Sequence, residues 1–331
     1  MAIKHPYLLF LGDAHDQLAA KTADGVAFWR PEWCLGQFRL PGCKADLKLP
    51  DMSIEAAAAA GAKTLVVGVA NRGGVVADSW MPVLARALER GLDLAAGMHQ
   101  RLADLPVLKS TAERLGRRIF DVRHPTQEFH VATGKPRSGK RLLTVGTDCS
   151  IGKMFTSLAL ERELRKRGAK ADFRATGQTG ILIAGEGVSV DAVVADFISG
   201  ATEWLAPAND DDHWDLIEGQ GSLFHASYAG VSLGLLHGAQ PTAIVMCHEP
   251  SRTHMRGLPG HPLPSLHECI EANLRAARLT SPTVTCVGIS INTSALDASA
   301  ADSILKQTAD AFGLPCVDPV RTGVSAIADR L

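Results

Sequence analysis

The chain has 331 residues, of which 46% are hydrophobic and 21% are charged. This composition is ordinary for a folded globular protein, and the length suggests about two domains. Lys and Arg number 34 against 35 Asp and Glu, which gives a formal net charge of -1. The balance excludes a highly charged disordered chain and argues against a nucleic-acid partner, because nucleic-acid-binding domains usually carry a basic excess.

The first residues contain only a short apolar run, which ends at Gly12 and Asp13. The run is too short for the core of a signal peptide and much too short to span a bilayer, so we expect no membrane partner. Seven cysteines without a CxxC motif do not form a disulfide framework. We therefore expect a reducing, cytoplasmic compartment.

Helices and strands alternate along the first 130 residues. Strands are predicted at residues 7–11, 64–70, 92–96 and 118–122, and helices at 15–27, 53–61, 80–90 and 111–117. Continuous apolar strands separated by helices indicate a parallel sheet that is covered on both faces. We expect an α/β fold whose N-terminal domain, residues 1–130, is Rossmann-like.

The stretch from about residue 124 to 140 breaks this alternation and is rich in Gly, Pro and basic residues. We place a linker at residues 131–140. The alternation then resumes, with a helix at 152–167 and strands at 142–145, 171–175, 215–218, 243–247 and 284–291. Residues 141–331 are predicted to form a second, P-loop NTPase-like α/β domain.

The strongest motif joins the first strand of the second domain to its first helix. Such a turn exposes backbone N–H groups, the helix N-terminus adds partial positive charge, and a lysine reaches the phosphates. We predict that this loop binds a diphosphate or polyphosphate through Gly146, Thr147, Asp148, Cys149, Ser150, Ile151, Gly152, Lys153 and Met154.

The loop departs from the usual P-loop pattern at two positions. Thr147 stands where the first glycine is expected, and Met154 stands where a Ser or Thr normally ligates Mg²⁺. A thioether is a poor ligand for a hard cation, so the loop suits a polyphosphate without its metal, such as the diphosphate of coenzyme A. We expect no metal site and no obligatory metal, although Asp148 or Glu218 could still hold one.

A second element, the run DLIEGQGS at residues 215–222, ends a strand in an acid that is followed by small residues. In open α/β sheets, ligands lie at the carboxyl ends of the strands. We therefore expect Glu218 to face the same cleft as Lys153.

The runs GTDCSIGK at 146–153 and LIEGQGS at 216–222 resemble the dethiobiotin synthetase group of P-loop proteins. A closer resemblance covers almost the whole chain and includes NRGG at 71–74, the run at 177–197, IEGQGSLFHASYAG at 217–230 and HEPSRTHMRG at 248–257. On these motifs the chain resembles a bacterial family, long labelled a domain of unknown function, whose members are D-glutamate N-acetyltransferases. The resemblance implies that acetyl-CoA acetylates D-glutamate or D-glutamine and that a dehydrogenase partner then oxidises the product.

Acetyl transfer of this kind requires a base that removes a proton from the amine. The candidates are Glu218, which we rank first, Asp148 inside the loop, and His254, whose ordinary pKa lies near neutrality. Cys149 lies at a helix N-terminus, where a thiol pKa can fall, and is an alternative as an acetylated nucleophile.

The small-molecule amino-acid substrate needs cations for its carboxylates and hydrogen-bonding groups for the rest. Asn71 and Arg72 follow a predicted strand, as do Gln178 and Thr179, and Arg252 lies in a basic loop. We predict that these five residues bind the substrate. Two alternatives stay open: a Mg-ATP-dependent ligase or kinase of the dethiobiotin synthetase type, and a nucleotide-binding regulator. The sequence also leaves a homo-oligomer open.

Overall fold

The computed structural model describes residues 2–70 and 74–331. The chain divides into two compact units, the first made of Met1–Gln127 with Gly177–Ala192 and the second of Glu128–Thr176 with Val193–Leu331. The segment 177–192, which the sequence suggests is part of the second domain, thus makes its contacts with the first unit. Among the described residues, no helix combines the length and hydropathy needed to cross a membrane.

The first unit contains a parallel sheet with strand order β2-β1-β3-β4-β5. Its strands are β1 (Tyr7–Gly12), β2 (Cys34–Arg39), β3 (Thr64–Val67), β4 (Asp93–Ala96) and β5 (Ile119–Asp121). Its helices are α1 (Lys21–Trp29), α2 (Ile54–Ala59), α3 (Met81–Glu89), α4 (Pro106–Leu115) and α6 (Gln178–Ala184). The parallel pairing confirms the α/β class that the apolar strands predict.

Three elements of the first unit differ from the sequence prediction. Strand β2 was not predicted, because this strand at the sheet edge contains Gln37 and Arg39 and lacks a continuous apolar run. Helix α1 begins only at Lys21, after a short 3₁₀ turn. Helix α4 begins at Pro106, before the predicted residue 111, because proline fits the first turn of a helix.

The second unit contains another parallel sheet, with strand order β11-β10-β9-β6-β8-β7. Its strands are β6 (Lys140–Gly146), β7 (Ala171–Arg174), β8 (Trp214–Ile217), β9 (Ala243–His248), β10 (Thr285–Ile291) and β11 (Cys316–Val317). Its helices are α5 (Lys153–Lys166), α7 (Ile198–Leu205), α8 (Ala229–Ala239), α9 (Leu266–Ala277), α10 (Ala298–Phe312) and α11 (Ser325–Ala328). Strand β11 has two residues and was missed because so short a run carries no periodicity.

The order of the strands determines where the second unit collects its polar side chains. Strand β6 lies between β8 and β9, so the chain crosses over β6 on its way from β8 to β9. Ligands of open α/β sheets bind at such a switch point, outside the carboxyl ends of the strands. The segments that follow β6, β8 and β9 therefore meet at one edge, and these are the loop at 147–152, Glu218 and the segment after His248.

Candidate functional site

The loop between β6 and α5 turns sharply through two residues in the left-handed region, Ser150 with φ 53° and Gly152 with φ 105°. Gly146 precedes the turn where space is limited, since a Cβ there would lie 2.6 Å from Cδ1 of Ile151. Ile151 is buried and anchors the loop in the unit. The residues predicted to bind phosphate thus form one strand–turn–helix connection.

Lys153, the first residue of α5, is only 6% exposed. Its Nζ donates one hydrogen bond, to the carbonyl oxygen of Asp148 at 2.7 Å. Burial lowers the pKa of Lys153 below its ordinary value, although nearby Cys247 and other groups oppose the shift. An ammonium group has three donors, so within the described part of the chain two N–H bonds of Lys153 have no acceptor. A buried, underbonded cation at a helix N-terminus fits the phosphates of a ligand.

Asp148 and Arg252 fix the shape of this loop. Asp148 is fully buried, and its Oδ2 accepts hydrogen bonds from Nη1 of Arg252 at 2.7 Å and from the backbone N–H of Arg256 at 2.9 Å. Its Oδ1 accepts from the backbone N–H of Cys149 at 2.7 Å. Burial alone would raise the pKa of Asp148, but these hydrogen bonds outweigh it and hold the pKa below its usual range.

The guanidinium of Arg252 also binds the loop backbone. Nη1 donates to the carbonyl oxygen of Cys149 at 2.6 Å, and Nη2 donates to that of Ser150 at 2.9 Å. Nη2 lies 2.8 Å from Oε2 of Glu249, which adds a second acidic partner. Arg252, predicted to bind the substrate, is therefore bonded here to the loop itself and to two carboxylates.

His225 is a buried member of this site that the sequence argument did not single out. The backbone N–H of Ser227 donates to its Nδ1 at 3.2 Å, which assigns the ring proton to Nε2. Nε2 then donates to the carbonyl oxygen of Arg256 at 3.0 Å and lies 3.9 Å from Oδ1 of Asp148. His225 belongs to the run at 217–230 that carries the family resemblance, but nothing in the sequence pairs it with Asp148, which lies more than seventy residues earlier.

Glu218 follows β8 and is 5% exposed. One of its carboxylate oxygens, Oε2, accepts the backbone N–H of Thr176 at 3.0 Å, and Thr176 Oγ1 donates to the carbonyl oxygen of Glu218 at 2.6 Å. The Glu218 carboxylate lies near enough to Lys153 to oppose the lowering of the pKa of that lysine by burial. The structure thus brings Glu218 and Lys153 to the same edge of the sheet, as the sequence predicts.

The residue after Glu218 must be small. A Cβ on Gly219 would lie 1.7 Å from the carbonyl oxygen of Thr144 and 3.0 Å from Cδ of Lys153. The N–H of Gly219 donates to Oγ1 of Thr144 at 3.0 Å, which ties the end of β8 to β6. This close approach is why the acid in the sequence is followed by glycine.

Cys149 and His248 complete the surroundings of the loop. Burial raises the pKa of the Cys149 thiol, and the nearby cations only partly oppose the shift, so helix position has not produced a reactive thiolate. His248, at the end of β9, has Nδ1 3.0 Å from Oγ1 of Thr147. Burial lowers the pKa of His248, which favours the neutral ring. Met154 is half-buried.

Among the described residues, two groups of side chains have the proximity that a metal ion requires: Asp148 with Cys149 and His225, and Asp172 with His213 and Asp215. In the first group both oxygens of Asp148 and both ring nitrogens of His225 already take part in hydrogen bonds. In the second group Arg174 donates to Asp215 at 2.7 Å. In the described structure the first group is therefore a hydrogen-bond network, whereas Nδ1 of His213 in the second group is buried without a hydrogen-bond partner.

Five predicted residues remain, namely Gln178, Thr179, His254, Asn71 and Arg72. Gln178 and Thr179 begin α6 in the first unit, where Gly97 and Gly25 leave room for them: a Cβ on Gly97 would lie 2.8 Å from Cβ of Gln178. His254 is exposed and has Nδ1 3.2 Å from Oγ1 of Thr253. The prediction for Asn71 and Arg72 lies outside the described residues.

The fold and this loop define an α/β protein whose second unit is of the P-loop class. The sequence pattern of the DUF1611 P-loop domain, a domain of unknown function, matches residues 130–328, and that of its Rossmann-like N-terminal domain matches residues 38–125. The chain belongs to the DUF1611 family, which confirms the Rossmann-like and P-loop assignments.

Relatives of known name match the full length. A protein of Tritonibacter scottomollicae named D-glutamate N-acetyltransferase is 56% identical over 99% of both chains. One of the same name from Pseudoalteromonas sp. is 50% identical over 100% of both. The crystal structure of a DUF1611 family protein from Anabaena variabilis has a TM-score of 0.86 and 34% identity over 99% of both chains.

Proposed function

We propose that this protein is an N-acetyltransferase that transfers the acetyl group of acetyl-CoA to the α-amine of D-glutamate. The observation that carries the proposal is the full-length identity of 56% and 50% to two proteins named D-glutamate N-acetyltransferase. This likeness favours the acetyltransferase over the Mg-ATP-dependent ligase that the P-loop alone would allow.

In this proposal the loop of the second unit holds the diphosphate of acetyl-CoA. Lys153 supports the assignment, because its buried ammonium has a single acceptor in the described structure and gains the others from phosphate oxygens. Met154 supports binding without Mg²⁺, since its thioether is a poor ligand for that ion.

We assign the role of general base to Glu218. The neutral amine of D-glutamate attacks the thioester carbonyl carbon, and one of its protons passes to Glu218. The carbon–sulfur bond then breaks, and the proton on Glu218 passes to the sulfur of the departing CoA. Asp148 suits this role less well, because it already accepts three hydrogen bonds and its pKa is held low. His254 also suits the role less well, because its side chain is exposed to solvent.

The substrate carboxylates require cationic partners, and Arg72 stays our candidate for one of them, with Asn71, Gln178 and Thr179 as hydrogen-bonding groups. Arg252 is a weaker candidate now that its guanidinium is seen bound to the loop and to Asp148. We also propose a cytoplasmic location, which the seven free cysteines support, and a dehydrogenase that consumes the product.

The proposal is tested with purified protein in EDTA, acetyl-CoA and a panel of D- and L-glutamate, D-glutamine and D-aspartate, with products identified by mass spectrometry. We expect N-acetyl-D-glutamate without added metal. A parallel reaction contains Mg-ATP and no acetyl-CoA. If no amino acid is acetylated while ATP is hydrolysed, the proposal is wrong and the ligase is favoured.

The base is tested separately with Glu218→Gln, which keeps an acceptor oxygen for the N–H of Thr176. We expect a large fall in kcat with little change in the KM for acetyl-CoA. An unchanged kcat and an unchanged pH profile would assign the base elsewhere, and His248 would be the next residue to replace.

A further inference from the structure

Arg256 is held beside the phosphate loop by two buried side chains. Its backbone N–H donates to Oδ2 of Asp148 at 2.9 Å, and its carbonyl oxygen accepts from Nε2 of His225 at 3.0 Å. Asp148 is fully buried and His225 is 1% exposed. Both backbone polar groups of one exposed residue are thus fixed by groups in the interior, which positions that residue on the loop.

The side chain of Arg256 is exposed, and in the described parts of the chain its guanidinium has neither a hydrogen bond nor an ion pair. Its neighbour Arg252 differs, because Arg252 lies 2.7 Å from Asp148 and 2.8 Å from Glu249. Arg256 is therefore a cation at the loop without an acidic partner there.

The charge of Arg256 reaches the loop. It is one of the cations that lower the pKa of Cys149, together with Lys153 and Arg252, against the larger effect of burial. Cys149 lies in the middle of the loop that follows β6. The guanidinium consequently acts on the region where the loop would hold a ligand.

The nucleotide half of CoA carries a diphosphate and a 3′-phosphate, which is more negative charge than Lys153 alone can balance. Arg252 is neutralised by its two acids, so within residues 2–70 and 74–331 Arg256 is the arginine that remains available at the loop. The planar guanidinium pairs with phosphate oxygens through two parallel hydrogen bonds.

We propose that Arg256 binds a phosphate group in the nucleotide half of the acyl donor and thereby makes the enzyme selective for CoA thioesters over thioesters that lack the nucleotide. This inference rests on the proposed acetyl transfer, and it names a donor-specificity residue that the loop motif does not contain.

The test compares three donors, acetyl-CoA, 3′-dephospho-acetyl-CoA and acetyl-pantetheine, in the wild type and in Arg256→Ala and Arg256→Lys. In Arg256→Ala we expect kcat/KM for acetyl-CoA to fall about ten- to hundredfold, as for loss of a charge-assisted hydrogen bond, while that for acetyl-pantetheine is unchanged. Arg256→Lys restores part of the loss. If Arg256→Ala also lowers kcat/KM for 3′-dephospho-acetyl-CoA, the contact is with the diphosphate. If kcat/KM for this donor is unchanged, the contact is with the 3′-phosphate.

Equal losses with acetyl-CoA and acetyl-pantetheine would overturn the proposal, since they would indicate only a damaged loop, and so would no loss with any donor. Arg278→Ala is the matched control, because Arg278 is an exposed arginine just after α9. Calorimetric titration with CoA separates this inference from the proposed function. Binding that weakens in Arg256→Ala supports the phosphate contact even if no amino acid is acetylated, whereas equal binding by both proteins contradicts it.

Discussion

Replacing Arg252 by alanine should destabilise the second unit by about 3 kcal/mol, the scale expected when one partner of a buried ion pair is removed. The substitution removes three hydrogen bonds from Arg252 to the loop, at 2.6 to 2.9 Å, and it leaves the carboxylate of Asp148 fully buried without its cation. Arg252→Lys keeps the charge and loses the planar fork, so we expect an intermediate loss.

The same substitution should change the dependence of stability on pH. In the wild type the pKa of Asp148 is depressed in the folded state, so its contribution is present above the unfolded pKa and is lost as the pH falls through the folded value. Without Arg252, burial dominates and the folded pKa rises. The loss of stability on acidification that Asp148 contributes should therefore shrink in Arg252→Ala, so this variant should differ most from the wild type near neutral pH and least at low pH.

A double-mutant cycle measures the interaction, with Arg252→Ala, Asp148→Asn and the double variant. Because the chain has two units, urea unfolding is followed by pulsed hydrogen exchange and mass spectrometry of peptides from the second unit. We expect the double variant to be less destabilised than the sum of the single variants by about 2 kcal/mol or more. Additive effects, together with the same pH dependence of stability in Arg252→Ala as in the wild type, would refute the reasoning that this pair holds the loop.

Three other predictions follow from the same contacts. Gly219→Ala should lower the free energy of unfolding by about 3 kcal/mol or more, because the new Cβ would lie 1.7 Å from the carbonyl oxygen of Thr144. Gly230→Ala is the control, since no atom lies within 4 Å of its Cβ, and equal stability of the two variants in urea would contradict the prediction. In calorimetric titrations CoA affinity should be greatest below the lowered pKa of Lys153 and fall as the pH rises through it, and Lys153→Met should bind weakly without that fall; a pH-independent wild type would argue against the lysine contact. Cys149→Ser should keep most of its acetyl transfer activity in a steady-state assay, since burial raises the pKa of this thiol, and loss of acetyl transfer would revive the nucleophile hypothesis.

The sequence predicts the fold class well because both sheets consist mainly of buried strands, which appear as apolar runs. Strand β2 escaped this reasoning because Gly36, Gln37 and Arg39 interrupt its apolar run, and Gln37 is buried through hydrogen bonds to Asp46 and to the N–H of Leu47, which spacing does not predict. The contacts of residues 177–192 with the first unit were not predictable, since neighbours in the sequence give no sign of which unit a segment packs against.

For the candidate site, sequence reasoning predicted that the loop after β6 and the acid after β8 lie at one edge of the sheet, and the structure has them there because β6 and β8 are neighbours. It proposed that Arg252 binds the substrate, which stays a prediction, and it did not foresee the hydrogen bond of Arg252 to Asp148, 104 residues earlier in the chain. The hydrogen bonds of the Arg256 backbone to His225 and Asp148 also join residues far apart in the sequence, so no local pattern predicts them. Contacts between residues so distant in the sequence depend on how the loops pack in three dimensions, and the spacing of residues along the chain does not reveal this.

The most direct test of the account uses acetyl-CoA with a deuterated acetyl group, D-glutamate and L-glutamate, with wild-type protein and Lys153→Met side by side. The account predicts that the wild type transfers the label to the nitrogen of D-glutamate in the absence of metal and that Lys153→Met requires far more donor for the same rate. The account would be contradicted if no labelled N-acetyl-D-glutamate formed, or if Lys153→Met used acetyl-CoA as well as the wild type does.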